Sequence, residues 1–252
     1  LFRGSRLDRN YDDLAGQWDR IWINEGSTNN NINYAIIENS FIGIQAEYFP
    51  FSNNPQVSNN QLNIKNTIIR NTSGFGILGT LYQINAENLL IENCGEYNVA
   101  LTGSGNYTFK HCTFANYWNE SQRQTPLFYA QNYQSSSNGL IVGNPTLRVE
   151  NSIIDGRLDD EWGFEAIDTT SVDFQFENCI IKSDTILTGN RYSNCSQSSR
   201  DNLFTNPSDR DYTLSQISMA VNFGKPSVGF QVPLDLAGNA RTLDSAPDAG
   251  CF

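Results

Sequence analysis

Apolar and polar positions along this chain follow a short pattern that occurs six times. Each copy begins with a polar residue, usually continues with a small residue, then has apolar residues and ends on a polar one. The copies begin at Asn33, Asn66, Asn88, His111, Asn151 and Asn178, and the shortest spacing between them is 22 residues. A recurring unit of this length predicts a solenoid of stacked repeats.

Runs of alternating apolar and polar residues precede the repeated pattern, and a second short apolar run follows several copies. Runs of the first kind include residues 62–64, 107–109, 147–149 and 174–176. Alternation with a period of two predicts β-strands. Equivalent strands stacked about 4.8 Å apart would pair in parallel and bury their apolar side chains in shared columns. We therefore predict an all-β fold, a single-stranded right-handed parallel β-helix over residues 1–201.

Two other repeat folds compete with this prediction. Propeller blades need about 40 residues each, which exceeds the shortest spacing, and the Leu-x-x-Leu-x-Leu frame of leucine-rich repeats is absent from the sequence. The β-helix also explains the leading Asn residues. An Asn at a bend tolerates the left-handed conformation, and its amide can bond to the equivalent amide of the next repeat. We predict a structural ladder of Asn33, Asn66, Asn88, Asn151 and Asn178.

Charge and cysteine content narrow the functional classes. The net charge is −11 and the sequence has no basic stripe, which argues against nucleic-acid binding. No run of 18 apolar residues occurs, so we predict no membrane span. The five cysteines form no Cys-x-x-Cys pair, which argues against zinc. Cys195 and Cys251 are candidates for a disulfide in an oxidising compartment. The single histidine, His111, is predicted to stack on neighbouring Asn residues rather than act as a catalytic base.

The repeated pattern stops near residue 202, and proline becomes more frequent beyond it. Open ends of stacked sheets invite aggregation, so β-helices cover them. We therefore predict that residues 202–252 cap the C-terminal end within the same domain. Because the chain begins at Leu1 rather than Met, we also expect a leader or further N-terminal coils upstream of it.

Segments at both ends of the chain carry a resemblance. Near the start stands Gly16-Gln17-Trp18-Asp19-Arg20-Ile21, and the closing segment has Asp235, Gly238, Arg241, Pro247, Asp248 and Gly250. In this the chain resembles secreted β-helix proteins of the pectate-lyase-like type that are common in Bacteroidetes. It departs from them at Cys251-Phe252, where a Tyr-Glu ending would be usual. The resemblance implies a secreted, periplasmic or cell-surface location and no assigned activity.

An acidic loop interrupts the repeats between residues 155 and 165. Clustered carboxylates can bind Ca²⁺ or act as acid and base on a glycan, and an adjacent tryptophan could stack on a sugar ring. The alternative is a solvated loop of an acidic protein. The candidates are Asp155, Asp159, Asp160, Glu161 and Glu165, with Trp162 beside them.

A second insertion, residues 117–138, is rich in aromatic and amide side chains. Aromatic rings stack on sugar faces and amides bond to hydroxyls, so this composition suits carbohydrate recognition. The alternative is a loop that packs its own rings against the flank of the fold. Its candidate ligand-binding residues are Tyr117, Trp118, Tyr129 and Tyr133. The insertion at 47–60 is a similar case.

Three functions remain open from the sequence. The leading hypothesis is a secreted or cell-surface protein that binds carbohydrate or serves in surface display, without catalysis. The second is a polysaccharide lyase or glycoside hydrolase, although no lyase motif is present and no catalytic residue can be assigned. The third is a structural adhesin or stalk. Fold alone does not choose among them, and the sequence leaves the glycan and the oligomeric state open.

Overall fold

The computed structural model describes residues 1–6, 8, 10–49, 56–137, 139–167, 172–198, 203–242 and 245–252. These residues form an all-β fold with one short helix, α1 (Pro226–Gly229), and one 3₁₀ turn (Pro207–Asp209). The predicted boundary at 201/202 and residues 50–55 of the predicted insertion at 47–60 lie outside them. The described strands are β1 (Ile21–Ile23), β2 (Asn30–Asn33), β3 (Ile36–Glu38), β4 (Ile42–Glu47), β5 (Gln61–Thr72), β6 (Phe75–Cys94), β7 (Val99–Lys110), β8 (Thr113–Asn116), β9 (Phe128–Gln131), β10 (Tyr133–Ser136), β11 (Gly139–Val142), β12 (Thr146–Glu150), β13 (Ile153–Gly156), β14 (Trp162–Glu165), β15 (Asp173–Glu177), β16 (Ile180–Ile181), β17 (Tyr192–Ser193), β18 (Ser196–Gln197), β19 (Phe204–Asn206) and β20 (Asp211–Leu214).

Parallel pairing joins most of these strands into one large curled sheet, within which the strands align in three rows. Row A aligns the core residues Ile21, Ile44, Ile77, Val99, Phe128 and Trp162. Row B aligns Ile32, Ile64, Ala86, Phe109, Val149, Phe176 and Tyr192. Row C aligns Ile37, Ile69, Ile91, Phe114, Ile154, Ile181 and Gln197. Between β4 and β16 the chain passes through rows A, B and C in that order repeatedly.

The aligned side chains other than Gln197 share one interior and form the main hydrophobic core. Strands in register place equivalent residues at the strand spacing of about 4.8 Å, so the apolar side chains of successive repeats form continuous columns. Bulkier rings fill the column ends nearer the C terminus, where Phe109, Phe114 and Phe128 meet edge to face at 5.0–5.5 Å. The all-β class and the parallel stacking agree with the sequence pattern.

A left-handed residue joins row B to row C in each repeat. These residues are Tyr34, Asn66, Asn88, His111, Asn151, Asn178 and Asn194, with φ between 48° and 53°. The structure thus corrects the predicted ladder at its start. Asn33 pairs with Lys65 and is one position early, so Tyr34 occupies the bend. The side chain of Asn33 still accepts from Asn66 Nδ2 at 2.9 Å. The sequence analysis also missed Asn194, where a shorter copy of the pattern supports β18.

A second set of left-handed Asn residues follows row C. Asn39, Asn71 and Asn93 have φ of 62°, 53° and 51°. Asn71 Nδ2 donates to Asn39 Oδ1 at 2.7 Å, and Asn93 Oδ1 accepts from Tyr117 N at 3.2 Å. The repeats that begin at Asn66 and Asn88 therefore turn twice on asparagine, which visits the left-handed region at lower cost than most residues with a side chain.

The C-terminal residues 203–242 and 245–252, here called the lateral segment, lie against the outer face of row C. A second hydrophobic core forms there between row C residues Leu90, Ile153 and Ile180 and lateral residues including Tyr212 and Cys251. The described contacts of the lateral segment run along the flank of the sheet, from Asp13 and Glu92 to Asn178. The predicted end cap is therefore corrected to a cover on the side of the stack, which buries the outward apolar residues of row C.

The bends between rows B and C hold the lateral segment in place. Asn88 accepts from Arg241 Nη2 at 2.6 Å and donates to Leu234 O at 2.6 Å. Asn151 exchanges hydrogen bonds with the backbone of Lys225 at 2.7 and 3.1 Å. Asn178 Nδ2 donates to the carbonyl of Phe223 at 2.8 Å. The asparagine side chains therefore bond outward to the lateral segment as well as to each other.

The closing motif has a physical role at each step. Asp235 accepts from the backbone N–H of Asn239 at 2.7 Å, and Asp248 accepts from that of Asn222 at 2.6 Å. Gly250 has φ of 96°, and a Cβ there would stand 2.8 Å from Ile153 Cδ1. A side chain at Gly250 would therefore push the lateral segment off row C. Arg241 connects the closing motif to the bend at Asn88 through its hydrogen bond to that side chain.

Cys195 and Cys251 lie in different parts of the fold. Cys251 N donates to Thr113 Oγ1 at 3.0 Å. Thr113 is three strands away from Ser196, the residue that follows Cys195. Three strand spacings amount to about 14 Å, well beyond the reach of a disulfide. The predicted pairing of these two cysteines is therefore wrong.

Candidate functional site

Two of the predicted ligand-binding aromatics are enclosed by the protein. The Tyr117 hydroxyl donates to Asp155, and its ring stacks on Tyr212 with centroids 6.3 Å apart. Trp118 is 8% exposed, and its Nε1 donates to Ser121 Oγ at 2.9 Å. Trp118 is too buried to offer a ring face to a sugar, and one face of Tyr117 is covered by Tyr212. Both follow the alternative in which the insertion packs its own rings against the flank.

Trp162 closes the interior at the end of row A. It is 9% exposed, with its ring edge-on to Phe176 at 4.8 Å and to Phe128 at 5.5 Å. Its Nε1 donates to the Tyr192 hydroxyl at 3.0 Å. Its surroundings make it a core residue whose outer edge alone reaches the surface.

The five carboxylates of the acidic loop point to different partners. Asp155 is buried and accepts from Tyr117 and Ser198. Asp160 accepts from Ser183 Oγ at 2.7 Å, while Asp159 is exposed on the loop. Glu161 and Glu165 are engaged elsewhere, as described below. Within the described residues, no group of three or more His, Cys, Asp or Glu side chains is arranged to hold a metal ion.

A buried ion pair joins the two predicted insertions. Arg123 donates to both carboxylate oxygens of Glu161, at 2.5 and 2.7 Å, and both side chains are at most 4% exposed. Glu161 also accepts from the backbone N–H groups of Leu127 and Leu158, each at 2.9 Å. Every oxygen of this carboxylate is therefore satisfied inside the protein, which makes Glu161 a structural anchor.

The outer face of row A carries an open groove of about 380 Å³. Side chains alternate along each strand, so Gln45, Leu78, Ala100 and Tyr129 stand side by side on the face opposite the core. A second outward line contains Glu47, Thr80 and Thr102. The groove is lined by Gln45, Glu47, Phe75, Leu78, Thr80, Tyr97, Ala100, Thr102, Tyr129, Gln131 and Gln134.

Three aromatic rings form one wall of this groove and run along the direction of stacking. Phe75 and Tyr97 stack with centroids 5.5 Å apart and planes at 18°. Tyr97 and Tyr129 follow at 5.5 Å and 39°. All three side chains are partly exposed. Amides and hydroxyls from Gln45, Thr80, Thr102, Gln131 and Gln134 face the same space. Aromatic side chains and uncharged polar groups thus line one surface.

Glu165 holds the phenols at the end of the groove. Its carboxylate accepts from the Tyr133 hydroxyl at 2.6 Å. Hydrogen bonds from Tyr133 and Tyr129 lower the pKa of Glu165, and the same bond to Glu165 raises the pKa of Tyr133. Near neutral pH this carboxyl is therefore ionised, which suits a hydrogen-bond acceptor and does not suit a general acid.

A second cavity of about 470 Å³ continues beside Trp162. Phe164, Arg191 and Tyr192 line it, and the Arg191 guanidinium lies 4.5 Å above the Phe164 ring centroid. Gly163 lines this cavity and pairs with Tyr129 of the groove, and a Cβ at Gly163 would lie 3.6 Å from the Tyr129 ring. Predicted residues Tyr129, Tyr133 and Trp162 are thus near one surface, whereas Tyr117 and Trp118 are not.

Phe75 and Tyr97, the other two rings of the wall, are not among the residues predicted from the sequence. Phe75 begins the second strand of its repeat, and Tyr97 stands one repeat later just before β7. Aligning these second strands would have placed the two rings beside each other, one repeat apart. Their spacing of 22 residues matches the shortest repeat and was the available signal.

No family model matches this sequence, and no curated protein and no solved structure matches the chain. Among the described residues, no helix is long and apolar enough to cross a bilayer.

Proposed function

We propose that this chain is a right-handed parallel β-helix that binds a neutral polysaccharide along the outer face of row A, without catalysis, at a secreted or cell-surface location. The aromatic wall of Phe75, Tyr97 and Tyr129 carries this proposal. The repeated passage through rows A, B and C supports the β-helix, and its right-handed sense follows the usual chirality of parallel crossover connections. The resemblance of the chain ends to secreted Bacteroidetes β-helix proteins supports the location and the family.

Polysaccharide binding matches the chemistry of the groove in two respects. Pyranose rings have apolar faces that stack on aromatic side chains, and their hydroxyls bond to amides and threonines. The ring centroids are 5.5 Å apart, close to the length of one sugar unit, so one chain lying along the stack contacts all three rings. An open groove rather than a closed pocket accommodates an internal segment of a long chain.

Charge favours a neutral chain over a uronate or sulfated one. Glu47 lines the groove, Glu165 lies at its end, and the protein has a net charge of −11. An anionic polymer would meet like charges on this face. The dispersed partners of the acidic-loop carboxylates give no support to a hydrolase pair, so non-catalytic binding is the better proposal.

The test compares Tyr97→Ala with Tyr34→Ala, a tyrosine that is 78% exposed at a bend away from the groove. Wild-type protein is screened on an array of neutral and acidic polysaccharides, and affinities are measured by titration calorimetry. Losing one stacked ring weakens binding on the order of tenfold for Tyr97→Ala. Tyr34→Ala should bind as wild type. Thermal unfolding of both variants controls for folding.

Four results would contradict the proposal. Equal affinity of the two variants would place the ligand elsewhere. A preference for uronates or sulfated chains would remove the charge argument. Release of reducing ends or unsaturated uronates from the bound polymer would establish catalysis, and absence of any binding would favour a structural adhesin or stalk.

A further inference from the structure

Cys179 and Cys195 occupy neighbouring positions on adjacent parallel strands. Register pairs Ile180 with Ser196, so the residues just before them face each other across β16 and β18. Ser196 N donates to the carbonyl of Cys179 at 2.9 Å, which fixes this register. Adjacent strands lie about 4.8 Å apart, within the range of Cα separations that disulfides span.

The two thiols also point the same way. Cys179 Sγ lies 3.4 Å from the carbonyl oxygen of Glu177, and Cys195 Sγ lies 3.6 Å from that of Ser193. Each thiol therefore bonds to the carbonyl two residues before it, and both enter the same column of side chains. Each thiol also shifts the pKa of the other.

The pair is also chemically asymmetric. Cys179 is fully buried, and burial raises its pKa, whereas the hydrogen bond from Cys179 lowers the pKa of the half-buried Cys195. The thiolate is the reactive form, so Cys195 is the sulfur that meets an oxidant first.

The other cysteines have no such neighbour. Cys112 stands in the same column as Cys179, but Ser152 lies between them, so the two cysteines are two strand spacings apart. Cys251 lies on the lateral segment beside Thr113. Cys94 ends β6 in a different column. All five cysteines are among the described residues, so the comparison covers the whole set.

We propose that Cys179 and Cys195 are a redox pair that closes to a disulfide and fastens β18 to β16. The oxidant is a low-molecular-weight disulfide. The Cys195 thiolate attacks one of its sulfurs, forming a mixed disulfide and releasing one thiol. Cys179 then loses its proton and attacks Cys195 Sγ, which expels the second thiol. Two protein thiols are oxidised and the small disulfide is reduced to two thiols.

The experiment incubates the intact protein with oxidised glutathione and counts thiols after denaturation. The number of free thiols per chain should decrease from five before treatment to three after it. Non-reducing digestion should yield one peptide pair linked through Cys179 and Cys195. A brief treatment of the native reduced protein with an alkylating agent should label Cys195 and spare Cys179.

Matched serine variants separate this pair from the other cysteines. Cys251→Ser should start with four thiols and fall to two, whereas Cys195→Ser should start with four and keep four. A linked peptide that contains another cysteine would overturn the proposal, and so would loss of two thiols from Cys195→Ser. Unchanged thiol content of folded wild-type protein in the presence of excess oxidant would overturn it as well.

Discussion

Replacement of His111 by Asn should remove a specific pH dependence from the stability of this protein. His111 is fully buried at a bend where other repeats carry Asn. Its Nδ1 lies 3.3 Å from the carbonyl of Gly250, and its Nε2 lies 3.0 Å from Asn151 Nδ2. A carbonyl on one side and an amide donor on the other require a neutral ring with the proton on Nδ1.

The magnitude follows from the shift in the His111 pKa. Burial, aided by the charge of Arg241, lowers this pKa from 6.5 to about 3. Above pH 6.5 the ring is neutral in both the folded and the unfolded state, so its titration does not change the free energy of unfolding. As the pH falls below 6.5, the imidazole takes up a proton in the unfolded chain but not in the folded chain. The free energy of unfolding therefore decreases until about pH 3. Between pH 7 and pH 4 the loss amounts to about 3 kcal/mol.

The assay is urea unfolding of wild type and His111→Asn at pH 7, 5.5 and 4. The variant loses packing and should be less stable at pH 7 by about 1–2 kcal/mol. Because every other titrating group is shared, the difference between the two proteins should move about 3 kcal/mol in favour of the variant by pH 4. The imidazole of the single histidine can also be followed directly by NMR. A difference that stays constant with pH, or a ring that titrates near 6.5, would refute the reasoning.

Two further substitutions test other buried charges. Glu161→Gln leaves Arg123 buried without its partner and should lower the free energy of unfolding at pH 7 by about 3–5 kcal/mol, whereas the double variant Arg123→Met/Glu161→Gln should recover part of this loss in the same urea titration. Burial raises the pKa of Glu92 from 4.5 to about 7, so the wild type loses stability as the pH rises between these values. Glu92→Gln should gain about 3 kcal/mol relative to wild type between pH 4 and pH 8, and an unchanged difference would show that Glu92 titrates normally.

The sequence encodes strands and stacking locally, which is why both could be predicted. In most repeats an apolar pair such as Ile68-Ile69 or Ile153-Ile154 follows closely after a bend that carries an Asn. The same pattern recurs in each repeat, so the equivalent positions of neighbouring repeats identify the residues that stack in one column. The error at Asn33 arose because this Asn lies one position before the bend. Asn33 pairs with Lys65 and Ile36 pairs with Ile68, so Tyr34 aligns with Asn66 and takes the bend.

The candidate site was only partly predictable for a physical reason. Whether an outward side chain is exposed depends on what covers it, and the cover comes from distant parts of the chain. Tyr117 is enclosed by Asp155 and Tyr212, whereas Tyr129 remains open beside Tyr97. Composition treats these tyrosines alike, and their local sequence does not distinguish them.

By itself, then, the sequence determined the all-β class, the parallel stacking of repeats and the asparagine bends, because these depend on alternation and conformational preference within about 22 residues. Only the tertiary structure decided that the C-terminal segment covers the flank of row C, that Glu161 is locked by Arg123, and that row A keeps an open aromatic face. Contacts between residues far apart in the chain, such as Arg241 with Asn88, leave no local pattern. They arise from how the folded surfaces fit together.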